Sequence, residues 1–414
     1  MTMLLSNYTA ALKEVVMPFL QNNFPSETIL LDNFKKNVDY QFINDEFIAP
    51  VWTSRHGGIA NLANDGNNVV SASGRTSSRA TVPVETVTGA FNISRLAIEA
   101  SATSKGAVAA ALTSQSQTLS SDFARHINRQ IYGDGVGVVA ETIGSSSATN
   151  IELAYPTASL DDGRSVDWYG TVNGDISPTK YLAVDQILGF GTGGADLGTV
   201  TAVNGGTSVT VTGNPAWATN DSVYIMDGSG QGAGTSEFLG IRAALSSSTG
   251  TSTYAGLARN TTGWTPQFGS ALEALTQDRI DDSYLSAREY ARGSDKFIIL
   301  VNKSLYKKYG KILTSMRRTV NETKLLGGFT GLEYAAGGGV IGVFVDYDVP
   351  DGEVLIIDLD SWKLCQVRDL DWLESGGELL RLQNTITYQA VMVWFANVMT
   401  VAPAANGRQT QKQD

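Results

Sequence analysis

The chain has 414 residues with 42% hydrophobic and 17% charged side chains, enough for two or three domains with a sizeable core. Its net charge is −11, without an extended basic face, which argues against tight sequence-independent binding to nucleic-acid phosphates. One cysteine, Cys365, excludes an internal disulfide framework and fits a reducing compartment, so the sequon Asn92-Ile93-Ser94 reads as a chance match. No apolar run of about 18 residues is present, so no membrane-spanning helix is expected, and the first residues lack the pattern of a signal peptide.

In chain order, Leu5, Tyr8, Leu12 and Phe19 fall at helical spacing, predicting an amphipathic helix over about 6–17 that Pro18 ends or kinks. From Asn22 to Val51 aromatic and apolar residues are scattered without period (Phe24, Ile29, Phe34, Tyr40, Phe42, Phe47), which reads as an extended arm or as a peripheral segment on its own domain. Next comes TSRHGGIANLANDGNNVVSASGRTSSRA, Thr53 to Ala80, polar and glycine-rich with no helical or strand period. Loops that long are usually functional or disordered. A strand-like run follows, TVPVETVTGAFNISRLAIEA (Thr81 to Ala100).

Val108, Leu112, Leu119, Phe123, Ile127 and Ile131 then recur every four or seven residues, predicting one helix over about 103–132. At 1.5 Å per residue it would be roughly 42 Å long. Thr103 or Ser104 can cap its start, and Gly133 stands where a left-handed C-cap glycine belongs. Residues 151–235 carry two basic and nine acidic side chains, a net of −7, in short β-rich runs separated by Gly, Asn, Asp and Pro. TVTAV-NGG-TSVTVT is a hairpin signal, and the whole stretch suggests a small all-β barrel or sandwich. Beyond Glu237 the pattern is α+β. FLGIRAAL, ALEALTQDRIDDSYLSAREYA and SLYKKYGKILTSM read as helices. KFIILVN, VIGVFVDYDVP, GEVLIIDL and TITYQAVMVWFANVMTVA read as strands, and NGRQTQKQD as a frayed tail.

Catalytic signals are sparse. His56 lies in the glycine-rich tract, and His126, beside Arg125, reads as a surface or interface residue. Cys365 in WKLCQV suits a strand interior. GDGVG (Gly133–Gly137) and GFGTGG (Gly189–Gly194) lack the strand–loop–helix context and the lysine of a phosphate loop. The pairs Asp161-Asp162 and Asp281-Asp282 occur in a chain rich enough in acids to supply them by chance. No cofactor, metal site or enzymatic activity is expected.

The order of parts resembles the major capsid proteins of tailed bacteriophages with the Hong Kong 97-type fold. The resemblance covers nearly the whole chain. It rests on the arm, the long tract, the return VPVETVTGAFNISRLAIEAS, the helix ending FARHINRQIYGDG, the segment GLARNTTGWTPQFG and the passage GVFVDYDVPDGEVLIIDLDSWKL. It implies an N-terminal arm (1–48), an extended loop lying over a neighbouring subunit (49–82), and a peripheral domain with the spine helix (83–140). It also implies an inserted β domain (141–235), an axial domain (236–354), return strands (355–404) and a tail (405–414). The implied function is self-assembly through pentamers and hexamers into an icosahedral head around double-stranded DNA, with scaffolding, portal and decoration proteins as further partners and no membrane. The protein would reside in the virion capsid after assembly in the host bacterial cytoplasm.

Two departures qualify the resemblance. No lysine occurs between Lys36 and Lys105, so the loop has no nucleophile for the isopeptide cross-link some coats make. The first 50 residues are also too short for a helical scaffolding segment, so scaffolding is expected from another protein or to be already lost. Candidate interface residues are Arg55, Arg75 and Arg79 on the loop and Arg125, His126 and Arg129 on the helix; arginine's planar fork suits bidentate pairing with a neighbour's carboxylates. A β-rich tail, fibre or adhesin protein is the alternative.

Overall fold

The computed structural model describes residues 28–37, 41–54, 56–61, 70–71, 73–95, 105–144, 146–147, 149–154, 177–227, 237–246, 253–260, 263–271, 273–291, 293–294, 296–315, 322–324, 330–336, 339–373, 380–381, 387–410 and 412–413. The helix expected at 6–17, the capping residues Thr103 and Ser104, Arg55 and the pair Asp161-Asp162 lie outside them.

Two long apolar runs dictate the first layer. Glu85–Ser94 and Thr387–Thr400 pair antiparallel over ten residues, from Thr387↔Ser94 to Ala396↔Glu85. Trp362–Gln366 continues this sheet on the far edge of the long strand, and Lys35–Asn37 adds in parallel beyond it. Part of the expected arm is therefore core: the helix Ile29–Asn33 buries Ile29, Leu30 and Leu31, and Phe34 stacks on Trp362 at 5.5 Å. The aromatic residues there lacked a period because a one-turn helix and a three-residue strand are too short to show one.

The helix Lys105–Tyr132 crosses this sheet. Phe123, Ile127 and Ile131 are buried at four-residue spacing, as the apolar stripe predicts. Gly89 lets the helix approach, since a Cβ there would lie 3.2 Å from Phe123 and 3.3 Å from Leu119. Gly133 is not the left-handed cap expected of it. Its N–H returns to the Gln130 carbonyl, and the first positive φ comes at Gly135 (85°). The orphan carbonyl of Gly133 instead accepts from the amides of Arg242 and Ala243, at the start of the helix Ile241–Ala244.

Six strands then close into a barrel: Val138–Thr142, Asn150–Ala154, Ile187–Phe190, Asp196–Asn204, Ser208–Val211 and Ser222–Met226. It begins before residue 141, because Val138–Thr142 pairs with both Ser222–Met226 and Asn150–Ala154. The Asn-Gly hairpin forms with Asn204↔Ser208 in register and Gly205 at φ 68°. GFGTGG is part of this wall: a Cβ at Gly189 would sit 2.7 Å from the Cα of Gly194.

The remaining chain builds a seven-stranded sheet, in the order Gln267–Gly269, Gly407–Gln409, Val354–Asp358, Phe297–Val301, Gly339–Val345, Thr330–Ala336, Glu322–Lys324. Alternation along its central strands divides the core. Ile298, Leu300, Leu355 and Ile357 face the first layer, while Ile299, Val301, Val354 and Ile356 face the helices Gln277–Tyr290 and Lys303–Ser315.

Val354–Asp358, where the expected return strands begin, lies inside this sheet. One expectation is corrected here. The stretch 405–414 is no frayed tail: Gly407–Gln409 inserts between Val354–Asp358 and Gln267–Gly269, and Lys412–Gln413 pairs with Glu273–Ala274. Arg408 is 1% exposed and bonds Glu353 (0% exposed) through two nitrogens at 2.7 and 3.0 Å, with Arg242 Nε 3.5 Å from the same carboxylate. Buried Lys412 bonds Glu273 at 2.8 Å. Ion pairing satisfies these polar side chains inside the fold, so hydropathy gave no sign of them.

Candidate assembly surfaces

The described residues at both ends of the tract Thr53–Ala80 continue a hairpin. Glu46–Trp52 pairs in register with Ser77–Pro83, from Glu46↔Pro83 to Trp52↔Ser77, and Gln41–Ile43 adds a third strand. Above the ladder, Thr53 N–H reaches the Thr76 carbonyl at 3.0 Å and Thr76 N–H reaches Ser54 Oγ at 2.9 Å. Strand order thus extends through 77–80, which composition alone had placed in the loop.

At its base the hairpin is tied down. Phe47, Ala49, Ala80 and Val82 are buried, Thr81 N–H bonds the Ala255 carbonyl, and Asn397 Nδ2 donates to the Pro83 carbonyl at 2.8 Å. Toward its end the apolar side chains turn outward, Trp52 (51% exposed), Ile59 (81%) and Val70, and on the added third strand beside the base Phe42 and Ile43 are exposed as well. Burying such side chains is worth about 1.5–3 kcal/mol each, and here that gain is left unused within one chain.

The predicted arginines fall into different places. Arg75 is exposed, its guanidinium 4.9 Å from the Trp52 ring centroid and its Nε 3.4 Å from the Ser54 carbonyl. Arg79 is exposed opposite Pro50. Arg125 is exposed on the long helix, one turn before Arg129. Arg129 is not available as an interface anchor: it is buried and makes a two-nitrogen pair with Glu237, one bond being 2.9 Å. His126 is half-buried against Gln130 Nε2 at 2.9 Å. A helical period locates the apolar stripe without saying how wide the covered face is, so it does not distinguish buried Arg129 from exposed Arg125.

Around that pair the charges interact. Burial, with the Arg129 charge beside it, holds the His126 imidazole down at about 4 against an ordinary 6.5, so it is neutral at pH 7. Burial and the Glu237 charge push the Glu85 carboxyl up to about 7. Glu85 stands just above the hairpin base, where its strand enters the large sheet.

A second polar junction was missed in the sequence. Asp346 and Asp348, in the VDYDVP turn, meet Asn128 and Tyr132 on the long helix and Lys180 and Tyr181 beside the barrel. Tyr132 donates to Asp346 at 2.9 Å, Asn128 to Asp348 at 2.7 Å, and Lys180 pairs with Asp348 at 2.6 Å. Burial, then the neighbouring Asp348 charge, raises the Asp346 carboxyl above the usual range. One turn thereby joins helix, seven-stranded sheet and barrel. Its sequence signal was a D-x-D turn directly after a buried strand.

Among the described residues no catalytic constellation accompanies these surfaces. A cavity of about 360 Å³ beside the hairpin base is lined by Thr81, Pro83, Asp134, Tyr254 and Arg259 among others. Arg259 uses its terminal nitrogens on the Ala243 and Ala244 carbonyls. Among the described residues no three His, Cys, Asp or Glu side chains gather as a metal site. Cys365 is buried, its thiol pushed up to about 12, which leaves it protonated and unreactive.

The chain carries a phage capsid fold. It superimposes on a structure from the cyanophage A-1(L) capsid asymmetric unit with a TM-score of 0.52 at 12% identity, over 93% of this chain and 92% of that one. A capsid structure from a native GTA particle aligns at a TM-score of 0.44 and 11% identity, over 93% of this chain and 90% of that chain. A structure from Mycobacterium phage Patience aligns at 0.44 and 8%, over 99% and 89%. No family model matches the sequence, and no curated protein matches it.

Proposed function

We propose that this chain is the major coat subunit of a tailed double-stranded DNA bacteriophage, assembling through pentamers and hexamers into an icosahedral head. The observation that carries the reading is the match of the fold, over 93% of this chain, to a structure from the cyanophage A-1(L) capsid asymmetric unit. The outward-facing apolar end of the hairpin supports it, because a surface of that kind calls for a partner.

In this reading the helix Lys105–Tyr132 and the sheet around Thr387–Thr400 form the peripheral domain, the seven-stranded sheet the axial domain, and the acidic barrel an outward decoration. The hairpin lies over the adjacent subunit, with Trp52 and Ile59 covered and Arg75 and Arg79 at carboxylates of the neighbour. Arg125 sits at a further contact. Many weak lateral contacts, closed in a lattice, hold the shell without covalent welding, consistent with a hairpin that has no lysine. The protein acts structurally rather than as an enzyme. Scaffolding, portal and decoration proteins complete the head in the host cytoplasm, and packaged DNA touches the inner face non-specifically.

Sedimentation velocity with negative-stain imaging of the full chain, alone and with the proteins encoded beside it, tests this. Closed shells or five- and six-fold rings are expected, dissociating on a denaturing gel to a single 44.1 kDa band. A uniform monomer or trimer in both settings would overturn it.

A further inference from the structure

The two helices on the open face of the seven-stranded sheet carry opposite charge on their solvent sides. In Gln277–Tyr290 the buried side chains are Ile280, Ser283, Tyr284 and Ala287. Its exposed face presents Asp278, Asp282, Leu285 and Glu289, at steps of four, three and four residues. The neighbouring Arg279 is already paired with Glu273, its Nε 3.0 Å from the carboxylate. In Lys303–Ser315 the buried side chains are Ser304, Leu305, Tyr309 and Leu313, and the exposed stripe is Lys303, Lys307 and Lys311. That helix has no acidic residue at all, in a chain whose net charge is −11.

Both helices share one hydrophobic core, but they occupy different parts of the sheet. The acidic helix lies over the Gln267–Gly269, Gly407–Gln409 and Val354–Asp358 side, and the lysine helix over Gly339–Val345, beyond the central strand Phe297–Val301. Asp278, Asp282, Glu289, Lys307 and Lys311 have no ion-pair partner among the described residues. Charges repeat about every 6 Å along the lysine stripe, the rise of four helical residues, and stand about 6 and about 10.5 Å apart along the acidic one.

We infer that these faces are the two halves of one head-to-tail contact: the acidic helix of one copy meets the lysine helix of the next. Unlike patches joined this way form a heterologous interface, which closes into a ring when the rotation between copies is right. Charge complementarity sets the partner and the orientation, since like faces repel. Exposed Leu285 and Tyr290 supply apolar contact beside the acids. A polyanion such as DNA would account for the lysine stripe alone, whereas a second copy of this chain accounts for both stripes. This inference rests on the coat-subunit reading and names its ring contact.

The test is a charge swap in the full chain. Lys307→Glu/Lys311→Glu and Asp278→Lys/Asp282→Lys are each expected to lower the yield of rings or shells about tenfold in low salt, with the melting of the unassembled subunit unchanged. Combining all four substitutions in one chain should restore the yield. If either double variant fails to fold, Lys307→Gln/Lys311→Gln and Asp278→Asn/Asp282→Asn replace them, and both must remove the salt sensitivity of assembly. Wild-type yields from both double variants, or no recovery in the quadruple variant, would overturn the inference. So would a lysine variant that assembles normally and only loses DNA retention. A wild-type chain that forms nothing larger than a monomer would instead overturn the coat reading beneath it.

Discussion

The extended hairpin and the sheet around Arg408 solve the same problem in opposite ways. Near Arg408, strongly polar side chains are buried and answered within one chain, by Glu353, Arg242 and the backbone. On the hairpin, large apolar side chains stay exposed: Trp52 is 51% exposed with only one face under Arg75, and Ile59 is 81% exposed. Buried polarity with partners marks a finished interior, and exposed apolarity without them marks a surface awaiting one. One region should therefore govern subunit stability and the other assembly.

The largest break in that division should come from Arg408→Met, which removes both Arg408 bonds to the buried Glu353 carboxylate. Losing one member of a buried pair costs about 3–5 kcal/mol, so the urea midpoint should collapse and particles should vanish with it. Trp52→Ala should behave oppositely: subunit stability within about 0.5 kcal/mol of the parent, but assembly weakened by about 2 kcal/mol per contact, measured by particle yield against concentration. Gly89→Ala should cost about 1 kcal/mol of subunit stability in denaturant titration, by pressing a methyl group on Phe123 and Leu119.

The smallest effect is a pH profile centred on the hairpin base. The folded value for Glu85, about 7, lies above its ordinary 4.5, so its contribution is fully present below pH 4.5 and is lost as pH rises through 7. His126 runs the other way: with a folded value near 4 against 6.5, its contribution is full above pH 6.5 and is lost as pH falls through 4. Glu85→Gln should flatten the alkaline limb of stability and His126→Gln the acid limb, both read from denaturant midpoints between pH 4 and 8.

Periodic segments were legible in the sequence, and polar ones were not. Phe123, Ile127 and Ile131 announced the long helix, and the Asn-Gly turn announced its hairpin, because spacing alone carries those signals. The strand Gly407–Gln409 has no apolar alternation, so it passed for a tail until its ion pairs were placed. The burial of Arg129, a candidate interface residue by sequence, is not legible there because its partner, Glu237, lies on the far side of the barrel in sequence. Asp346 and Asp348 were visible as residues, but their meeting with Asn128, Tyr132 and Lys180 depends on topology.

Amide hydrogen exchange, compared between the free subunit and the assembled particle, tests the division between the two regions most directly. Residues 56–61, 70–71 and 73–75, beyond the paired strands, should exchange rapidly in the subunit and gain strong protection in the particle, while 407–410 should be equally protected in both. Equal protection of the hairpin in the two states would contradict its role as the surface that a neighbour completes.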